Sequence, residues 1–298
     1  MCLLIALWQV VESAPLIVAA NRDERYDRPA TPMTVLHQAG PRILGGRDLA
    51  AGGTWLAVSE DGLVAGLTNR PAPQGRDPAR RSRGELPIAL ARHGSAAAAA
   101  DWAAAAVHPE DYNPCWMLAG DRESLRYLDL TAGPRPRVRA LPPGIHVLEN
   151  EPLGGESAKA AHVAGRTAQA VAAWRAAGTV PADPPGGPGP AAGPGGLAAA
   201  LAAILRDHAP PPGLGAASRP AFTGAACVHS PLYGTRSAMI VTVPQSGRPR
   251  ILVADGPPCQ APLLPAAAGW DPPAAGTATA GSGSGSGTAE LTGSREWD

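Results

Sequence analysis

Short apolar runs, punctuated by Gly, Pro and charged residues, recur along the chain. Residues 2–10 read as an apolar strand and Pro15-Leu-Ile-Val-Ala-Ala20 as a second, with the segment between them as a hairpin turn. Asn21-Arg-Asp-Glu24 ends the second strand in polar residues, and a Pro- and Gly-rich loop follows. Thr54–Ser59 and Leu63–Thr68 pair around Asp61-Gly62, a dipeptide that accepts the positive φ of a tight hairpin. Cys115–Ala119 and Ser124–Asp129 form another pair around Gly120-Asp121, and Ile145–Leu148 a short strand ending at Glu149-Asn150. Near the far end, Ala225–His229 and Ala238–Val243 read as strands flanking a turn, Ser230–Arg236, and Arg250–Ala254 as the last main strand.

Helical patterns fall between these groups. Residues 84–107 are Ala-rich and split into two helices at His93-Gly94, with Ser95 as N-cap. Residues 157–177 carry Ala, Val and Trp at helical spacing behind a Ser157 cap, and residues 197–208 suit a further helix. Residues 178–196 are mostly Gly, Pro and Ala and read as a flexible insertion. From Ala261 the sequence is of low complexity, so residues 1–260 read as one domain and 261–298 as a tail with a flexible Gly281–Gly287 linker. Strand pairs alternating with helices favour an α+β fold with mixed or antiparallel sheets. Neither a dinucleotide-binding GxGxxG nor a phosphate-binding loop occurs.

Composition narrows the chemistry. Equal numbers of acidic and basic residues give no reason to expect nucleic acid or an anionic membrane as partner. Nearly every cation is Arg, and Lys159 is the only Lys. Cys2, Cys115, Cys227 and Cys259 include no CxxC pair, so spacing supports neither a zinc site nor a disulfide scaffold, and a reducing, cytoplasmic compartment is expected. The seven His residues show no paired helical spacing and no HExxH, so no metal is expected. No apolar run is long enough to span a membrane. The apolar start lacks a basic leader and reads as a buried strand.

Five islands stand in order: Met1-Cys-Leu-Leu; Ala19-Ala-Asn-Arg-Asp-Glu24 with Arg28-Pro29; Gly52-Gly-Thr-Trp-Leu56; Gly66-Leu-Thr-Asn69; and Tyr233-Gly-Thr-Arg236. Weaker agreement at Arg83–Leu86, Tyr112-Asn113 and Gly144–Asn150 extends the set over residues 1–255. This ordered set resembles the NRDE family, also described as transport-and-Golgi-organisation-2-like. The resemblance implies an αββα sandwich of the N-terminal-nucleophile hydrolase type, similar to the cysteine amidases of the bile-salt hydrolase and penicillin V acylase group. In that group removal of the initiator Met leaves Cys as residue one. Eukaryotic relatives are associated with Golgi organisation, mitochondrial lipid and coenzyme A metabolism, and haem trafficking.

The resemblance assigns roles residue by residue. Cys2 would be the nucleophile and its freed α-amine the base, since an amine near pKa 8 can take a thiol proton near neutrality. Cys2 also suits a buried strand as a small apolar residue. Asp23, brought near Cys2 by the hairpin, would orient the amine, or else simply end the strand. Asn69 and Asn150 would donate to an oxyanion, or Asn69 simply starts a turn before Arg70-Pro71. Arg236 would hold a thiolate or substrate carboxylate, or cap a strand. Arg22, Trp55 and Tyr233 are candidates for binding substrate. Adjacent residues of an extended strand face opposite sides, so Arg22 and Asp23 can share a site only if that strand has already ended. The expected activity is hydrolysis of amides or thioesters of small, partly apolar molecules, with no required cofactor. The alternative is a non-enzymatic carrier of haem or an acylated cofactor.

Overall fold

The computed structural model describes residues 2–71, 75–177, 196–212, 224–266 and 269–270. Strand β1 (Cys2–Val11) turns at Glu12-Ser13 into β2 (Ala14–Arg25). Both are buried almost throughout, because each face of this hairpin meets another layer. Leu3, Ile5 and Leu7 point to one side and pack with Val163, Val171, Leu197 and Leu201 of α3 (Ala158–Ala176) and α4 (Leu197–Leu205). Leu4, Ala6 and Trp8 point to the other side and join the core between the sheets. Full burial of one such Leu or Ile stabilises by about 1.5–3 kcal/mol, so this strand is a large contributor to the fold.

The hairpin lies within a six-stranded sheet ordered β10-β1-β2-β11-β12-β13, where β10 is Gly144–Leu148, β11 Tyr233–Val243, β12 Arg250–Ala254 and β13 Leu264–Pro265. A seven-stranded sheet runs in chain order through β3 (Ala30–His37), β4 (Ile43–Asp48), β5 (Leu56–Ser59), β6 (Val64–Asn69), β7 (Cys115–Gly120), β8 (Leu125–Asp129) and β9 (Arg137–Ala140). Every pairing in both sheets is antiparallel. Helices α1 (Glu85–Ala91) and α2 (Ala96–Ala106) cover the outer face of the second sheet through Leu86, Leu90, Ala99 and Ala103. The layers are therefore helix, sheet, sheet, helix: the αββα sandwich expected. Gly66 lets the sheets approach, since a Cβ there would press on Leu4. No helix among the described residues is long and apolar enough to cross a membrane.

Local signals were mostly reliable where they were short-ranged. Ser95 caps α2 by accepting from the Ala98 backbone N–H (3.1 Å), and Ser157 caps α3 from Ala160 (3.0 Å). The loop read after Glu24 instead contains β3 and β4. Pro32 obscured β3, which lies at the sheet edge with an irregular register around that residue, a setting that tolerates proline. The strand read at Ala225–His229 is corrected to irregular chain carrying one bridge, His229 to Gly234. The turn read at Ser230–Arg236 gives way at Tyr233 to β11, because Tyr233–Thr235 pairs with Arg25–Asp23. Of the insertion read at 178–196, only Gly196 is described, preceding α4. The stretch read as a tail from 261 begins with β13, and Trp270 Nε1 donates to the Pro249 carbonyl (2.9 Å). The Gly281–Gly287 segment lies outside the described residues.

The approach of Gly53 to Gly84 positions the loop before α1. A Cβ on Gly53 would overlap the Gly84 backbone, which cannot rotate away, whereas a Cβ on Gly94 meets nothing. Gly53→Ala is expected to cost about 1–3 kcal/mol in urea unfolding, and Gly94→Ala to stay within about 0.5 kcal/mol. Equal effects at the two positions would contradict this packing.

Candidate active site

The β1–β2 register sets Cys2 opposite Arg22, at the end of the hairpin remote from its turn. Cys2, Arg22, Asp23 and Asn69 line a cleft of about 80 Å³ with Trp55, Arg28, Asp48 and the Ser82–Gly84 loop. Complete ligand sites usually span ~300–1,000 Å³, so this cleft has room for the reacting group of a molecule, with the remainder outside it.

Arg22 and Asp23 are both buried and both line the cleft, although β2 continues to Arg25. Their side chains still turn to opposite sides, as strand alternation requires: Arg22 reaches Trp55 and Asp48, and Asp23 reaches Thr235 and the charge of Lys159 on α3. The pairing with β11 skips a residue, from Thr235↔Asp23 to Ser237↔Arg22, leaving Arg236 as an extra residue. Such a bulge adds twist and re-aims neighbouring side chains.

Cys2 is 6% exposed. Burial pushes its thiol above the ordinary value, and the Asp23 carboxylate adds to that. The Arg22 guanidinium and a hydrogen bond from the Asp23 backbone N–H pull it down. Burial also raises Asp23, against the charge of Lys159, a 2.6 Å hydrogen bond from the Thr235 hydroxyl and the charge of Arg22. Arg22 lies over the Trp55 ring at 4.5 Å and 3.8 Å from an Asp48 oxygen. Its Nη2 is buried without a hydrogen-bond partner among the described residues, so a donor remains available at the cleft. Burying such a donor is costly unless something accepts from it.

The remaining expected residues take different places. The Asn150 side-chain amide donates to the Asn69 carbonyl, so Asn150 supports Asn69 from outside the cleft lining. Arg236 Nη1 donates to the carbonyls of Arg25 and Tyr26, both at 2.8 Å, and the residue is not part of the lining. Tyr233 likewise lies outside it, its hydroxyl donating to the Asp23 carbonyl at 2.8 Å. Three groups were missed. Lys159, 5% exposed on α3, acts on Asp23 by its charge, and the uniqueness of that Lys was a usable signal. Thr235 was visible only as part of its island. Arg76, Arg81 and Arg83 line the cleft and stand in the sequence as a basic run. With Arg22 and Arg28 they set five guanidinium groups against the carboxylates of Asp23, Glu24 and Asp48, so the cleft is cationic by two charges.

The layers and this cleft define the class: an αββα protein with a buried cysteine beside a cationic cleft. A family model for Transport and Golgi organisation 2 matches residues 1–252, and the chain belongs to that family. It is 45% identical over 74 residues to the Transport and Golgi organization 2 homolog of Mus musculus, and 46% identical over 74 residues to the Homo sapiens homolog. Those stretches cover 24% of this chain and 26% of each relative, so only about a quarter of the relatives' length is matched. Among solved structures, penicillin V acylase from Agrobacterium tumefaciens is similar at TM-score 0.43 and 9% identity, over 86% of this chain and 91% of that one. A Caenorhabditis elegans N-acylethanolamine-hydrolyzing acid amidase ortholog reaches 0.46 at 10% identity, over 80% and 92%. Likenesses at those scores carry no weight for the chemistry of this chain.

The balance of burial and charge at Cys2 is testable by alkylation. The rate should rise with pH to a midpoint above that of an ordinary thiol, because burial disfavours the thiolate. Arg22→Met should move the midpoint higher still, since the guanidinium favours the thiolate. A midpoint that falls on removing Arg22 would contradict this electrostatic arrangement.

Proposed function

We propose that this protein is a cysteine-nucleophile hydrolase of amides or thioesters, acting on small, partly apolar molecules that carry a carboxylate or phosphate. The observation that supports it most is the convergence of Cys2, Arg22, Asp23 and Asn69 on one cationic cleft. In this reading Met1 is removed and the α-amine of Cys2 accepts the thiol proton. Asp23, whose charged form Lys159, Thr235 and Arg22 favour against the effect of burial, holds that amine in place. Sulfur attacks the substrate carbonyl carbon, and the carbonyl oxygen takes the negative charge. The Asn69 amide and the free Arg22 donor stabilise it, as fixed donors do in a cleft shielded from water. Collapse expels the amine or thiol with the proton held by the α-ammonium and leaves an acyl-thioester on Cys2. Water, losing its proton to the amine, then releases the acid and restores the thiol. Arg76, Arg81 and Arg83 attract the anionic group of the substrate at the cleft mouth.

The test combines intact mass with a screen of anionic amides and thioesters. The mass should show loss of one Met. Cys2→Ala should abolish turnover while keeping the fold, since one small buried side chain changes. Asp23→Asn should retain residual turnover, because the nucleophile remains. A carrier of haem or an acylated cofactor would instead bind ligand equally well with Cys2→Ala and turn over nothing. That result, or a retained Met1 with full activity, would overturn the mechanism.

A further inference from the structure

We infer that His208, Cys227, His229 and Cys259 form a tetrahedral site for a divalent cation of the zinc class. Their four ligand atoms all lie within 4.8 Å of one another. Cys227 and His229 flank Val228 in irregular chain, with the thiol and the imidazole Nε2 3.8 Å apart. His208 follows α4, and Cys259 sits in a turn after β12 closed by Ala261 N–H donating to the Pro257 carbonyl (2.8 Å). Sequence spacing gave no hint of a site, because these segments are distant along the chain.

Three of the four ligand atoms stand near the spacing an ion sets. Bonds of ~2.3 Å to sulfur and ~2.0–2.1 Å to nitrogen at tetrahedral angles set sulfurs about 3.8 Å apart and nitrogen about 3.6 Å from sulfur. Here the Cys227 and Cys259 sulfurs are 3.7 Å apart. His229 Nε2 is 3.2 Å from one sulfur and 3.8 Å from the other. His208 Nδ1 faces the Cys227 carbonyl at 3.1 Å. A proton held there leaves Nε2 with its lone pair, the arrangement by which backbone carbonyls orient ligating imidazoles. Both cysteines are free thiols, and a disulfide, with sulfurs ~2.05 Å apart, would not account for the His229 imidazole meeting both sulfurs. Two thiolates and two imidazoles favour zinc over magnesium or calcium, which take oxygen ligands.

With four protein ligands the site is closed, so its role is structural. It clamps the segment before β11 to the end of α4 and the turn after β12. That segment reaches the cleft: the Val228 N–H donates to the Thr235 hydroxyl at 2.9 Å, and Thr235 donates to Asp23. The inference does not require Cys2 to be a nucleophile.

The experiment uses the full-length chain without an affinity tag, purified with reductant and without chelator. Plasma mass spectrometry should find about one zinc per chain. Cobalt(II) in its place should give a thiolate charge-transfer band and the intense visible bands of tetrahedral coordination. His208→Ala, at an exposed position that leaves the core intact, and Cys259→Ser should each weaken retention against a chelator ~10-fold or more. Cys2→Ala should retain the metal. Zinc below about a tenth per chain with no tetrahedral cobalt spectrum would overturn the inference. So would a Cys227–Cys259 disulfide in the reduced preparation, or metal lost with Cys2→Ala and kept with Cys259→Ser.

Discussion

The antiparallel pairing of β1 with β2 is the constraint on which the rest of this structure depends. It places Leu3, Ile5 and Leu7 toward α3 and α4, and Leu4, Ala6 and Trp8 toward the second sheet. The same register sets Cys2 against Arg22. A slip by one residue would exchange the two faces of β1 and separate the thiol from the cleft. Core and candidate site are thus specified by one set of backbone hydrogen bonds.

That arrangement buries ionic groups that water would otherwise hold. Asp23, Arg22 and Lys159 are each 5% exposed or less. A buried charge is tolerated when opposite charges and hydrogen bonds replace its hydration. Asp23 has Thr235, Lys159 and Arg22 for this purpose, drawn from β11, α3 and its own strand. Arg22 has the Trp55 face and Asp48, with one donor left over. An αββα sandwich makes this feasible because a sheet covered on both faces keeps strand ends dry while the end of β4 and helix α3 supply counter-charges in Asp48 and Lys159.

Sequence alone determined the layered fold to a large extent. Alternating apolar runs, Asp61-Gly62, and the Ser95 and Ser157 caps are local signals, and local hydrogen bonding honours them. The ordered islands located Cys2, Asp23, Asn69, Arg22 and Trp55, which the fold brings to one cleft. Edge strands β3 and β9 were not legible. The first carries proline at an irregular pairing, and the second exposes all four residues, so neither shows an apolar pattern. The start of β11 was hidden in a turn-like composition, because its strand character comes from the partner β2.

Only the tertiary structure decided which polar groups act on one another. Arg236 faces backbone carbonyls, Asn150 braces Asn69, and Lys159 and the arginines at 76, 81 and 83 act at the cleft, none of which spacing can reveal. The cluster of His208, Cys227, His229 and Cys259 is the same lesson at longer range. A chain's pattern encodes which face of each element is apolar, since that depends on neighbours a few residues away. Which side chains meet depends on register, twist and bulges set by partners more than two hundred residues distant, as when Thr235 donates to Asp23 across a separation of 212.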